Sequence, residues 1–155
     1  MKAYFFCFAL LALVLGGSCR SKHDPQPAIS DADVLMQSNG YWQWESSVTL
    51  GAQLTPTGVG FSRELIFKND GLVHIFHNHQ PAIQPAYQLS SGVLSQCNQH
   101  IAVSLVRYAA EPQIPNNELR TYRINLSPTD TTLSITGAAA CVDGGYYEMY
   151  RWHRH

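Results

Sequence analysis

Two aromatic segments far apart in the chain constrain its fold more than any other feature. Gly40-Tyr41-Trp42-Gln43-Trp44-Glu45-Ser46-Ser47-Val48 opens the region of short alternating runs, and Gly145-Tyr146-Tyr147-Glu148-Met149-Tyr150-Arg151-Trp152 closes it. Both carry strand-forming aromatics at a period of two. A first and a last strand of matching character are suited to pair with each other, which is how an antiparallel sheet closes into a barrel. Period two places Trp42, Trp44, Ser46 and Val48 on one face of the first strand and Tyr41, Gln43 and Glu45 on the other.

Between these ends the chain reads as short strands and turns. Arg63-Glu64-Leu65-Ile66-Phe67-Lys68 and Leu72-Val73-His74-Ile75-Phe76-His77 flank Asn69-Asp70-Gly71, and an Asp-Gly pair tolerates the positive φ of a tight hairpin turn. Further strands are predicted at Ala86-Tyr87-Gln88-Leu89, at Ile101 through Val106, at Glu118 through Leu126 and at Thr131 through Thr136. In the third of these, Tyr122, Ile124 and Leu126 share a face. Residues 51–61, with Pro56, Gly58 and Gly60, read as a loop, residues 90–98 as a polar turn and residues 111–117 as a second loop. Ahead of the first strand, Ser30 or Asp31 can cap one or two helical turns that turn Val34, Leu35 and Met36 inward and plug one barrel end. The expected fold class is all-β, an up-and-down antiparallel barrel of about eight strands with a short N-terminal helix. A length of 155 residues suits one such domain, placed at residues 38–155.

The N-terminal region reads as export and tether. Lys2 precedes an apolar run from Ala3 to Leu15, which is shorter than the ~20 residues of a membrane-crossing helix. Residues 1–18 are therefore expected to be a signal peptide. Leu15-Gly16-Gly17-Ser18-Cys19 resembles a bacterial lipobox, with Gly16 where a large aliphatic residue is usual. The resemblance implies acylation of Cys19, with residues 19–37 as lipid anchor, polar linker and helix. Without residues 1–18 the chain has nine Lys and Arg against eleven Asp and Glu, a balance that argues against nucleic acid as a partner. Export also bears on Cys97 and Cys141, which would pair in an oxidising compartment and close a loop of roughly 45 residues. Two separate buried thiols are the alternative.

Several motifs together resemble a known family. Gly40-Tyr41-Trp42 resembles the Gly-x-Trp signature of lipocalins. Thr55-Pro56, Leu65-Ile66-Phe67 with Asp70-Gly71, Tyr87-Gln88-Leu89, Thr132-Leu133-Ser134-Ile135 and Cys141-Val142-Asp143-Gly144 before Tyr150-Arg151 are similar in order to the lipocalin-like domain lipoproteins of Bacteroidota. The resemblance spans about residues 38–152. It implies a barrel that can hold a small apolar molecule, a structural role for Gly40, and an arginine, Arg151, packed over Trp42. The inward rows expected to line the lumen and touch a ligand are Trp42, Trp44, Phe67, Phe76, Tyr87 and Tyr122, with Leu133 beside them. A barrel of this size is either filled by such side chains or holds one small ligand, and both readings stand at this point.

Catalytic and metal chemistry find little support in the sequence. His77 and His79 share a strand face while His74 lies opposite, short of the three or four ligands a metal site needs. No Gly-x-Ser-x-Gly elbow occurs. Glu45 and Glu148 are expected on the exposed faces of the two aromatic strands. The functional expectation is a non-catalytic envelope lipoprotein without metal or cofactor, held at the membrane through Cys19 on the periplasmic side of the outer membrane. It would bind a small hydrophobic or amphipathic molecule in the barrel or, with a filled core, contact an envelope protein partner.

Overall fold

The computed structural model describes residues 30–49, 51–96, 99–109, 119–137 and 146–155. The first element is α1 (Asp31–Leu35). Ser30 caps it by accepting from the Asp33 amide at 3.2 Å, while the Asp33 carboxylate accepts from the Ser30 amide at 3.3 Å. Val34 and Leu35 are buried, and the Leu35 carbonyl accepts from Trp42 Nε1 at 3.0 Å. A helix this short is marginal alone. Its cap and its bond to Trp42 hold it against the sheet.

The strands are β1 (Gly40–Thr49), β2 (Ala52–Leu54), β3 (Arg63–Phe67), β4 (Val73–His77), β5 (Gln80–Ile83), β6 (Tyr87–Gln96), β7 (Gln99–Tyr108), β8 (Leu119–Leu126), β9 (Thr131–Thr136) and β10 (Tyr146–Arg154), with α2 (Pro56–Val59) between β2 and β3. They form one antiparallel sheet in the order β5-β4-β3-β1-β10-β9-β8-β7-β6, with β2 added beside β1. Apart from β1 against β3, which skips the small β2–α2 excursion, every neighbouring pair but one is adjacent in sequence. The exception is β1 with β10, the closure anticipated from the two aromatic segments, which runs from Gly40↔Arg154 to Thr49↔Tyr146. The sheet is curled. Val73 N donates to Pro85 O at 3.0 Å and Tyr87 N to Gly71 O at 2.8 Å around a Leu72↔Ala86 bridge, so the start of β4 meets the start of β6. The chain is thus an all-β, barrel-like fold with its core on the concave side.

The Asp70-Gly71 hairpin forms as the sequence indicates. Gly71 has φ +83 and Asp70 Oδ1 accepts from the Leu72 amide at 2.9 Å. Elsewhere tertiary pairing overrides local composition. Residues 51–61 are not a plain loop. They hold β2, which pairs with β1, and α2, capped by Thr55 and ended by left-handed Gly60. Residues 90–96 are strand, because β6 and β7 pair continuously from Tyr87↔Tyr108 to Gln96↔Gln99, and ladder bonds satisfy a backbone whose side chains are mostly polar. A short β5 follows a turn in which Asn78 and His79 both take positive φ, and its Pro81 is tolerated at the sheet edge.

A bulge between Trp44 and Ser46 inserts Glu45 as an unpaired residue and reverses the alternation beyond it. Ser47, rather than Ser46 and Val48, continues the inward face, and Val48 is 41% exposed.

Gly40 sits where β1 and β10 approach most closely. A Cβ there would lie 2.0 Å from the His153 carbonyl oxygen and 2.7 Å from the Trp152 ring. Gly40→Ala is expected to destabilise by about 3 kcal/mol, the upper end for overpacking, because the obstruction is backbone. Urea denaturation of the variant against the parent measures it, and an unchanged midpoint would contradict the closure geometry.

Candidate functional site

The concave face is built from the strand positions that period two and the Glu45 bulge leave inside. Trp42, Leu65, Val73, Val106, Leu133, Ile135 and Tyr150 are all 0% exposed, and Phe67 and Ile75 are 1% exposed. A lumen wide enough for a single water would leave accessible surface on its walls, and these side chains have essentially none. Ring contacts connect them. Trp42 meets Trp152 edge-on at 5.0 Å, and Phe67 meets Tyr87 at 5.2 Å and Tyr108 at 5.9 Å. The part of the barrel lined by these residues is filled by the protein itself.

Of the residues expected to line a ligand cavity, Trp42, Trp44, Phe67 and Tyr122 lie in this core, and Tyr87 packs against it with its hydroxyl donating to Lys68 O at 2.8 Å. Phe76 does not join them. Val73 and Ile75 take the inward positions of β4, and Phe76 stands on the opposite face, paired with Glu64 and Pro81. Arg151 is likewise displaced from its expected place over Trp42. The register Gln43↔Arg151 puts it on the outer face, where its Nε and Nη2 donate to the Glu45 carboxylate, the latter at 3.2 Å, and its Nη1 lies 2.9 Å from Asp130 Oδ2. Gly40 holds the close approach already described. Cys19, Cys97 and Cys141 lie outside the described residues.

The polar chemistry of the interior comes from residues that the alternation argument left aside. Register pairs Trp44 with Tyr150 and, past the bulge, Ser47 with Glu148, so Glu148 faces inward rather than outward. Arg63 Nη2 donates to Glu148 Oε1, and the Tyr150 hydroxyl donates to Oε2 at 3.1 Å. The Arg63 guanidinium lies 5.6 Å from the Trp44 ring and 5.7 Å from that of Tyr150, so the cation on a β1 tryptophan comes from β3 and sits on Trp44, not from Arg151 on Trp42. Trp44 Nε1 is satisfied by Ser47 Oγ at 2.8 Å. Arg120, on the Tyr122 face of β8, is 3% exposed, donates from Nη1 to Tyr108 O at 3.1 Å, and lies 4.5 Å from the Tyr108 ring and 5.8 Å from that of Tyr146. Extending the Tyr122, Ile124, Leu126 row two residues back would have found it.

Electrostatics fix the charge states of this network. Burial opposes the charge on Arg63, yet Tyr150, Glu148 and Tyr108 outweigh it and hold the guanidinium above its ordinary pKa. Arg120 is held up in the same way, burial being overcome by Tyr108, Tyr146 and Glu148. Burial, with Glu148 adding to it, pushes the Tyr108 hydroxyl up to about 12 and that of Tyr150 well above its usual value. Both tyrosines are therefore neutral donors at physiological pH.

On the outside, a groove of about 590 Å³ runs over β7 to β10. Thr121, Asn125, Thr132, Ser134 and Thr136 line it, with Arg123 and Tyr147. The histidines do not converge. His77 packs on the Phe61 ring at 4.6 Å and His79 pairs with Glu64. Among the described residues no group of three His, Cys, Asp or Glu side chains is placed to hold a metal.

Removing one partner of the interior ion pair should cost far more than removing both. Glu148→Gln leaves Arg63 buried without a counter-charge and is expected to lose roughly 3–5 kcal/mol, whereas the Arg63→Met, Glu148→Leu double variant should recover most of the loss. Chemical denaturation of the three proteins checks this, and equal losses in single and double variants would contradict it. The tyrosines predict an alkaline limit. Unfolded tyrosine releases its proton near pH ~10, whereas Tyr108 and Tyr150 retain theirs when folded, so stability is intact below that pH and falls above it. The slope is about 1.4 kcal/mol per pH unit for each residue, read from urea midpoints between about pH 9 and pH 12.

Comparison with protein-family models, with curated proteins and with solved structures finds no match. What the chain does has to be read from its own chemistry.

Proposed function

We propose that the chain is a non-catalytic module of the cell envelope that acts through its outer surface, as a structural or protein-interaction component, with its barrel filled by its own side chains. The observation that carries this reading is the absence of accessible surface on Trp42, Leu65, Leu133, Ile135 and Tyr150. Interior close-packing of this kind leaves no room for a hydrophobic guest beside those residues. It favours the filled-core alternative over uptake of an apolar molecule among Trp42, Trp44, Phe67, Tyr87 and Tyr122.

The tether in this reading comes from the sequence: a signal segment over residues 1–18 and acylation of Cys19, with the domain facing the periplasm. A single acyl chain binds a membrane weakly and two or more bind it firmly, so the strength of anchoring follows from the modification. The lipocalin-like character rests on the ordered motifs and on the meander closed by β1 and β10. The Glu148 carboxylate, the one acid in the interior network, is engaged by Arg63 and Tyr150, which fits a structural role better than acid catalysis. The outer groove, rich in hydroxyl and amide groups, offers the partner a polar rather than a greasy surface.

Uptake of N-phenyl-1-naphthylamine, an uncharged dye that fluoresces in apolar sites, separates the two readings. A filled barrel should leave the parent protein dark, while Trp44→Ala, which empties a large buried volume, should gain fluorescence even as it loses roughly 3–5 kcal/mol of stability. Saturable uptake by the parent that Trp44→Ala abolishes would establish the ligand-holding barrel instead.

A further inference from the structure

The outer groove lies over three rungs of the sheet. Register aligns Thr121, Thr136 and Tyr147 across β8, β9 and β10, then Arg123, Ser134 and Met149, and then Asn125 and Thr132 beside Arg151. Both complete rungs line the groove, as do Asn125 and Thr132. Strand geometry sets such side chains about 5 Å apart across a rung and about 7 Å apart along a strand. The β7–β8 ladder runs from Ser104↔Tyr122 to Arg107↔Leu119, and Ala102 and Val103, beyond its Ser104 end, wall the groove on that side. β9 is laddered to β8 on one side and to β10 on the other, so its backbone is already bonded and the groove floor meets a ligand through side chains. That distinguishes this face from a sheet edge, where an extended peptide adds a strand.

Two properties of those side chains define an occupant. Thr121, Asn125, Thr132, Ser134 and Thr136 are neutral hydroxyls and an amide that both donate and accept, and the two charged residues of the described lining, Asp31 and Arg123, are of opposite sign. Tyr147 adds a flat apolar plate. It is 37% exposed, and its hydroxyl donates to Met149 Sδ at 2.8 Å, two residues along the same face, which lays the ring along β10 instead of away from the sheet. A pyranose has the matching pattern, with hydroxyls around its rim and a patch of C–H bonds that packs on an aromatic face. A lipid chain would leave the hydroxyl rows unpaired, and a polyanion would meet one cation offset by one carboxylate. We propose that the groove binds a neutral oligosaccharide, stacked on Tyr147 and hydrogen-bonded along the β8 and β9 rows. Its volume of about 590 Å³ is that of a small-ligand site. The proposal rests on the reading that the domain acts through its outer surface, and gives that surface a carbohydrate occupant.

The test is a saturation-transfer NMR titration of the purified full-chain protein. The probes are cellohexaose, maltohexaose, mannohexaose and N-acetylated chitohexaose, with hexagalacturonate as the anionic counterpart. The expected result is saturable binding of at least one neutral hexasaccharide, with the strongest transfer to its ring C–H protons, and no binding of hexagalacturonate. Tyr147→Ala should weaken that binding at least ~tenfold, while Tyr147→Phe, which keeps the ring, should retain it. Asn125→Ala should weaken it several-fold, and Gln88→Ala, exposed on β6, should leave it unchanged. All three positions are exposed, so urea midpoints of the variants should stay at the parent value, which separates a lost contact from a lost fold. Failure of all four neutral sugars to bind, preference for hexagalacturonate, or parent-like affinity in Tyr147→Ala would each overturn the proposal. Dye uptake reports on the barrel alone and sugar binding on the groove alone, so the filled-barrel reading and this one fail separately.

Discussion

Everything in this fold depends on β1 lying against β10. The two strands are separated by most of the described chain, and their ladder is what turns two local meanders, β3 to β5 and β6 to β10, into one curled sheet. Loop-closure entropy must be overcome before this contact contributes, so the ladder needs strong pairing once formed. It has aromatic pairs across the strands, Trp42 on Trp152 and Trp44 beside Tyr150, and a glycine at the tightest approach. The helix ahead of β1 is held by the same strand, through the Trp42 indole.

The bulge at Glu45 couples this closure to the chemistry inside. By inserting one residue after Trp44 it brings Ser47 to the inward face opposite Glu148, while Glu45 stays outward on Arg151. A carboxylate in an aromatic interior is tolerable only with a cation and a donor on it, and Arg63 from β3 and Tyr150 from β10 supply both. Closure, bulge and ion pair are therefore one cooperative arrangement. Arg120, on the same interior face, is held by the Tyr108 carbonyl and lies against the Tyr108 and Tyr146 rings.

Filling the lumen also explains why the sequence is so aromatic on one face. Trp42, Trp44, Phe67, Tyr108, Tyr122 and Tyr150 carry enough volume to occupy the space of a small barrel, and their rings meet rather than standing apart around a void. Thr, Ser and Asn positions of β8 and β9 form a polar groove on the outside.

The sequence by itself determined the elements whose signals are local. The helix cap at Ser30 or Asp31, the Asp70-Gly71 turn, and the alternation of β8, β9 and most of β1 need only neighbours in the chain to be read. So does the matching character of the first and last strands. Tertiary structure decided what depends on register and volume. Period two gives relative faces but not the phase beyond a bulge, so Ser47 could not be placed inside from alternation alone, whereas Glu148 shares the face of Tyr150 and Trp152 at period two. A polar run such as residues 90–96 becomes strand only because β7 offers it a ladder, and Phe76 lost its inward place because Val73 and Ile75 fitted β3 in the other phase. Whether the lumen is open or filled is a sum over side chains from strands as far apart as β3 and β10, whose Arg63 and Glu148 are 85 residues apart. No local window of sequence contains that sum.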